Sequence, residues 1–153
     1  MKYLAIFIIM LCALDCAGKL IQFDQYSVAM NLKVEPDSSI LIGSDEKFTG
    51  VLFLASILKE EKVKTGQVKL IKNYGKYFLC AENFKNVWMI EPQEDGSTAY
   101  YKAIDVTPKD KEDNYKDISF SRYGERDNVL IKFKYNKKEV FIDRKGKINE
   151  KNN

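Results

Sequence analysis

Three times along the chain an apolar, strand-like run reaches a short polar turn and a second apolar run follows. The first copy is Asn31-Leu32-Lys33-Val34-Glu35-Pro36-Asp37-Ser38-Ser39-Ile40-Leu41-Ile42. The second runs from Tyr77-Phe78-Leu79-Cys80-Ala81 through residues 82–86 to Val87-Trp88-Met89-Ile90. The third joins Leu130-Ile131-Lys132-Phe133-Lys134-Tyr135 to Val140-Phe141-Ile142 across residues 136–139. The turns lie roughly 46 and 54 residues apart, one supersecondary unit per repeat. Three hairpin-bearing units in one small chain predict a closed, threefold all-β fold. Such folds carry recognition surfaces more often than buried catalytic machinery.

The remaining apolar runs fill in the list. Leu20-Ile21-Gln22-Phe23, Val51-Leu52-Phe53-Leu54-Ala55, Gln67-Val68-Lys69-Leu70-Ile71, Thr98 to Ile104 and Asp117-Ile118-Ser119-Phe120-Ser121 all read as strands, several with period-two alternation. With the repeated runs they make about eleven strands. Asn73-Tyr74-Gly75 and Asp95-Gly96 are turn signals, and residues 107–113 form a polar loop opened by Pro108. Residues 57–64 fit a helical turn or a charged loop equally well. Residues 149–153 read as a disordered tail.

The first stretch stands apart from this pattern. After Lys2, residues 3–14 are an apolar run too short for a helix across a bilayer about 30 Å thick. Small residues follow at Cys16, Ala17 and Gly18, as in a secretory signal peptide; cleavage after Gly18, Cys16 or Ala13 all fit. The organisation expected is therefore a signal peptide at 1–18 and one domain at 19–148 of a secreted, extracellular protein. A membrane anchor is the competing reading. Cleavage after Cys16 or Gly18 leaves Cys80 as the remaining thiol, so packing and not a disulfide must hold the domain. Inside an apolar strand, Cys80 is expected to act as a small buried hydrophobe.

Composition removes most catalytic chemistry. The chain has no histidine, which excludes Ser-His and Cys-His couples and disfavours zinc. It lacks a Gly-rich phosphate loop, a Cys-x-x-Cys pair and a nucleophile elbow. No enzyme activity, cofactor or metal site is expected. The net charge is only +3, yet residues 132–151 hold eight basic against three acidic side chains, a local +5. Such asymmetry attracts polyanions. Nucleic acid is disfavoured as the partner, because aromatics do not interleave the basic residues as a stacking platform requires.

Several of these segments resemble the fibroblast growth factors and, more broadly, the β-trefoil cytokines. Leu32 to Ile40 is similar to the family's first hairpin. Gln67 to Ile71 and Tyr74 to Cys80 look like its central strands. Glu112-Asp113-Asn114-Tyr115-Lys116-Asp117-Ile118-Ser119-Phe120-Ser121-Arg122 resembles the segment that enters the third repeat, and residues 129–138 the strand and basic turn after it. The similarity spans residues 20–147 in the family's order. The departures are Ala99 and Ala103 where the family has a cysteine and a receptor-facing glutamate, and absent turn glycines near Ser38 and near Lys138 or Glu139.

The resemblance implies a β-trefoil whose final strand is incomplete. It also implies a secreted signalling ligand for a fibroblast growth factor receptor-like kinase with heparan sulfate as co-receptor, meeting the membrane only through that receptor. It places receptor contacts at Asn114 and Tyr115, and heparan sulfate contacts at Lys137, Lys138, Arg144, Lys145 and Lys147. A tyrosine that merely anchors its loop is the plainer reading of Tyr115, and a solvated lysine face that of the basic end. The alternative function is a secreted β-trefoil binding module or inhibitor without growth-factor activity.

Overall fold

The computed structural model describes residues 28–44, 47–92, 99–107, 114–124 and 129–149. The expected signal peptide and the strand expected at Leu20 to Phe23 lie outside them, as do the Asp95-Gly96 turn, residues 108–113 of the expected polar loop and residues 150–153. Among the described residues the chain is all-β with one short helix. Strands β1 (Met30–Lys33), β2 (Ser39–Ser44) and β3 (Lys47–Phe53) precede helix α1 (Ala55–Glu61). Then follow β4 (Gln67–Asn73), β5 (Lys76–Cys80), β6 (Val87–Pro92), β7 (Ala99–Ile104), β8 (Ser119–Tyr123), β9 (Leu130–Tyr135), β10 (Lys138–Ile142) and β11 (Ile148–Asn149).

These strands form a five-stranded sheet β1-β4-β5-β6-β7, a four-stranded sheet β11-β10-β9-β8 and the ribbon β2-β3. Every ladder is antiparallel. No ladder among the described residues closes the three sheets into a barrel. The second and third repeats are hairpins as expected, with Phe78 opposite Met89 and Lys138 opposite Tyr135. The first is not. Its two runs meet only through a bridge between Val34 and Ile40, while β1 pairs with β4 and β2 with β3. A turn signal between apolar runs shows that the chain reverses, but not which neighbour each strand takes.

The buried side chains make one core. Tyr77, Phe78, Leu79 and Cys80 are all fully covered, so β5 has apolar neighbours on both faces. That explains its continuous apolar run, where a half-exposed strand would alternate. Phe133 stacks on Tyr135 at 5.3 Å between ring centres, and Phe120 sits 5.0 Å from Phe133. Cys80 is fully buried, with its Sγ 3.6 Å from the Ala81 carbonyl oxygen.

Residues 55–61 resolve to a helix rather than a loop. Ala, Leu, Lys and Glu favour that state. The residues it buries, Ile57 and Glu61, lie one turn apart. The expected strand 51–55 therefore stops at Phe53. Asn149, expected to begin the tail, instead pairs with Phe141 in β11.

Candidate anion-binding groove

Two chain reversals meet beside the four-stranded sheet. The first is the β4–β5 turn, where Tyr74 and Gly75 have φ of +49° and +76°. Two successive positive φ values give the tight turn whose twist matches a hairpin, and Gly75 supplies one of them without strain. Asn73, buried at the end of β4, donates its Nδ2 hydrogen to the Val129 carbonyl at 3.1 Å. Arg122 on β8 donates from Nη2 to the Lys72 carbonyl at 2.8 Å. These two bonds hold the end of the five-stranded sheet against the entry to β9.

The second reversal, between β10 and β11, is built on Asp143. Its Oδ1 accepts the backbone N–H groups of Lys145 and Lys147, both at 2.8 Å. The Gly146 N–H donates to the Asp143 carbonyl, and the Asp143 N–H to the Lys147 carbonyl, each at 2.9 Å. Lys102 of β7 reaches across to donate to the Lys145 carbonyl at 3.1 Å. Gly146 is buried at φ +72°, where a Cβ would lie 3.0 Å from Ile104 Cδ1 and 3.4 Å from Met89 Sδ. Both the backbone angle and the space require glycine there.

This loop displays Arg144, Lys145 and Lys147 to solvent. With Tyr74, Val129, Leu130 and Asp143 they line a groove of about 420 Å³. The Arg144 guanidinium carbon stands 5.9 Å from the centre of the Tyr74 ring, within cation–π range. Among the described residues Asp143 is the one acid of the lining, and one of its oxygens is occupied by two backbone donors. The groove therefore presents three cations and an aromatic face to an anion.

Three of the five residues expected to bind heparan sulfate thus lie together, and two do not. Lys137 and Lys138 sit at the opposite end of β10, a five-residue strand and so about 17 Å away. The positive φ angles of that turn fall on Asn136 (+45°) and Lys137 (+64°), not on Lys138 or Glu139, where the missing glycine was expected. In the first repeat Ser38, at φ +64°, does occupy a glycine-like position. Lys132 and Lys134 both bridge Glu139, at 3.0 and 2.8 Å. Their hydrogen bonds hold the Glu139 carboxyl below its ordinary value. Much of the basic character read from residues 132–139 is therefore internally paired.

Tyr115 is fully buried, so its ring does not face a partner. It packs edge-on against Phe133 at 5.4 Å and lies 4.8 Å from Tyr135. Its hydroxyl accepts from the Val106 N–H and the Thr107 hydroxyl, both at 3.4 Å. Its backbone bonds to Asn83 and Phe84. The anchoring reading describes this side chain, and the receptor-contact expectation for its ring is corrected by its burial. Asn114 is exposed, and its carbonyl accepts from Asn136 Nδ2 at 3.1 Å. Sequence reasoning missed Tyr74, whose only signal was its place in an Asn-Tyr-Gly turn.

No group of acidic, cysteine or histidine side chains among the described residues is arranged to hold a metal. No described helix is long and apolar enough to cross a membrane. No protein-family model matches the chain, and neither a curated protein nor a solved structure does.

Proposed function

We propose that the chain is a secreted, growth factor-like signalling ligand on a β-trefoil scaffold, which binds a cell-surface receptor kinase with heparan sulfate as co-receptor. The observation that carries this reading is the groove. Arg144, Lys145 and Lys147 are held by a hydrogen-bonded loop beside an aromatic face, so little ordering entropy is lost on binding. The trefoil is supported by β1 pairing with β4 around the inserted ribbon β2–β3, the four-strand unit that such a fold repeats. Receptor contact would fall to exposed Asn114 and its surroundings, beside the β9–β10 turn, with Tyr115 as the support beneath. Burial of the Tyr115 ring also favours a second reading, a secreted trefoil binding module without growth-factor activity.

Heparin chromatography tests the groove. The purified protein should be retained and should elute with salt, because screening shortens from about 10 Å at 0.1 M to about 3 Å at 1 M. Changing Lys145 and Lys147 to glutamine should lower the eluting salt more than Lys137→Gln with Lys138→Gln. Lys59→Gln with Lys62→Gln, on and beyond α1, should have little effect. Equal losses from all three pairs would mean that diffuse charge is being read. No retention at physiological salt would remove the glycosaminoglycan, and failure to bind an array of receptor ectodomains would leave the binding-module reading.

A further inference from the structure

A second groove, larger and chemically different, lies between the turn after β1 and the end of α1. It encloses about 730 Å³ and is lined by two layers of side chains. Val34, Leu58 and Val63 form an apolar floor, half-buried and packed against the core. Around it stand Lys33, Lys59, Lys62 and Lys64, all exposed, with Glu35 the single acid among the described lining residues. Glu35 is engaged by Lys33 at 3.3 Å.

We propose that this groove docks an extended acidic peptide segment of a partner protein, one that carries an apolar side chain between carboxylates. The floor argues against a purely polar polyanion, since covering half-exposed aliphatic surface contributes only if the ligand brings apolar area of its own. The lysines argue for several carboxylates rather than one head group, because they rise from three separate segments: β1, α1 and the loop beyond it. Lys59 lies in the last helical turn and partly answers the helix dipole. Lys62 and Lys64 lie beyond that end. The walls are set in advance: Asp37 accepts the Ser39 N–H at 3.0 Å and its hydroxyl at 2.6 Å, and the Thr65 hydroxyl donates to the Gln67 carbonyl at 2.7 Å. This inference stands independently of the polysaccharide reading.

Fluorescence anisotropy with a short labelled peptide of alternating glutamate and leucine tests it. The purified protein should bind this peptide, and Lys62→Glu with Lys64→Glu should weaken binding about tenfold or more, as the loss of several screened ion pairs predicts. Lys85→Glu with Lys116→Glu makes the same change in net charge elsewhere and should leave binding nearly unchanged. A peptide with serine in place of leucine should bind much more weakly. Equal weakening by both double variants, equal binding of the serine peptide, or no binding at all would overturn the proposal. So would preference for phosphatidylserine vesicles over the peptide. Far-ultraviolet circular dichroism and thermal unfolding of the Lys62→Glu, Lys64→Glu protein check that it is folded.

Discussion

Gly146 shows how much of the basic groove rests on one backbone angle. Gly146→Ala should destabilise by about 1–3 kcal/mol, because a side chain at positive φ is strained and its Cβ meets Ile104. Thermal unfolding measures that loss, and heparin elution should shift with it as the loop carrying Lys145 and Lys147 moves. Two other residues set the alkaline limit. Burial pushes the Cys80 thiol well above 9.0 and raises the Tyr115 hydroxyl above 10.0. Raised acids stay neutral in the folded chain while the unfolded chain ionises. Their contribution is complete below those ordinary values and is lost as pH rises from them through the raised values of the folded chain. Tyr115→Phe should lower stability at neutral pH by about 1–2 kcal/mol, since the buried Val106 N–H loses its acceptor. Above pH 10.0 its stability should fall less steeply than that of the parent protein. Denaturant titrations at pH 7 and above pH 10 would show parallel decline if this assignment is wrong.

At the scale of elements, Glu61 ties the helix to the β5–β6 hairpin. It is 4% exposed and accepts three donors: the Lys85 N–H at 2.6 Å, Asn86 Nδ2 at 2.9 Å and the Trp88 indole N–H at 2.7 Å. No backbone ladder joins α1 to that hairpin, so this carboxylate fixes where the helix docks. Glu61→Ala leaves three donors without an acceptor and should cost about 3 kcal/mol or more. Trp88 is the only tryptophan, so its emission reports the loss directly. An unchanged spectrum and melting temperature would mean that water replaces the carboxylate without cost. The sequence showed Glu61 only as one charge in a polar stretch. Its partners lie 24 to 27 residues away, beyond the reach of any periodicity.

At the scale of the molecule, positive charge is divided between two concave sites of different character. One joins cations to an aromatic face at the end of β10; the other joins lysines to an aliphatic floor beside α1. If they are separate, saturating heparin should leave binding of the acidic peptide within about a factor of two, since sites without coupling shift neither equilibrium. A competition titration measures this. Strong mutual exclusion would mean that one continuous basic surface is being read.

What the sequence determined by itself was local. Among the described residues, apolar runs located ten of the eleven strands, because period and turn chemistry act over a few residues. The apolar run around Cys80 marked that residue as a small buried hydrophobe. The list of cations was also legible, but not their arrangement. Lys132 and Lys134 paired with Glu139, Lys137 and Lys138 were carried to the far end of a strand, and Tyr74 arrived beside Arg144 from 70 residues away. The tertiary structure decided these pairings. So too it decided that β1 would pair with β4 rather than β2, and that Tyr115 would anchor the core. Each follows from burial and hydrogen bonding between distant segments, which a reading of neighbours along the chain does not contain.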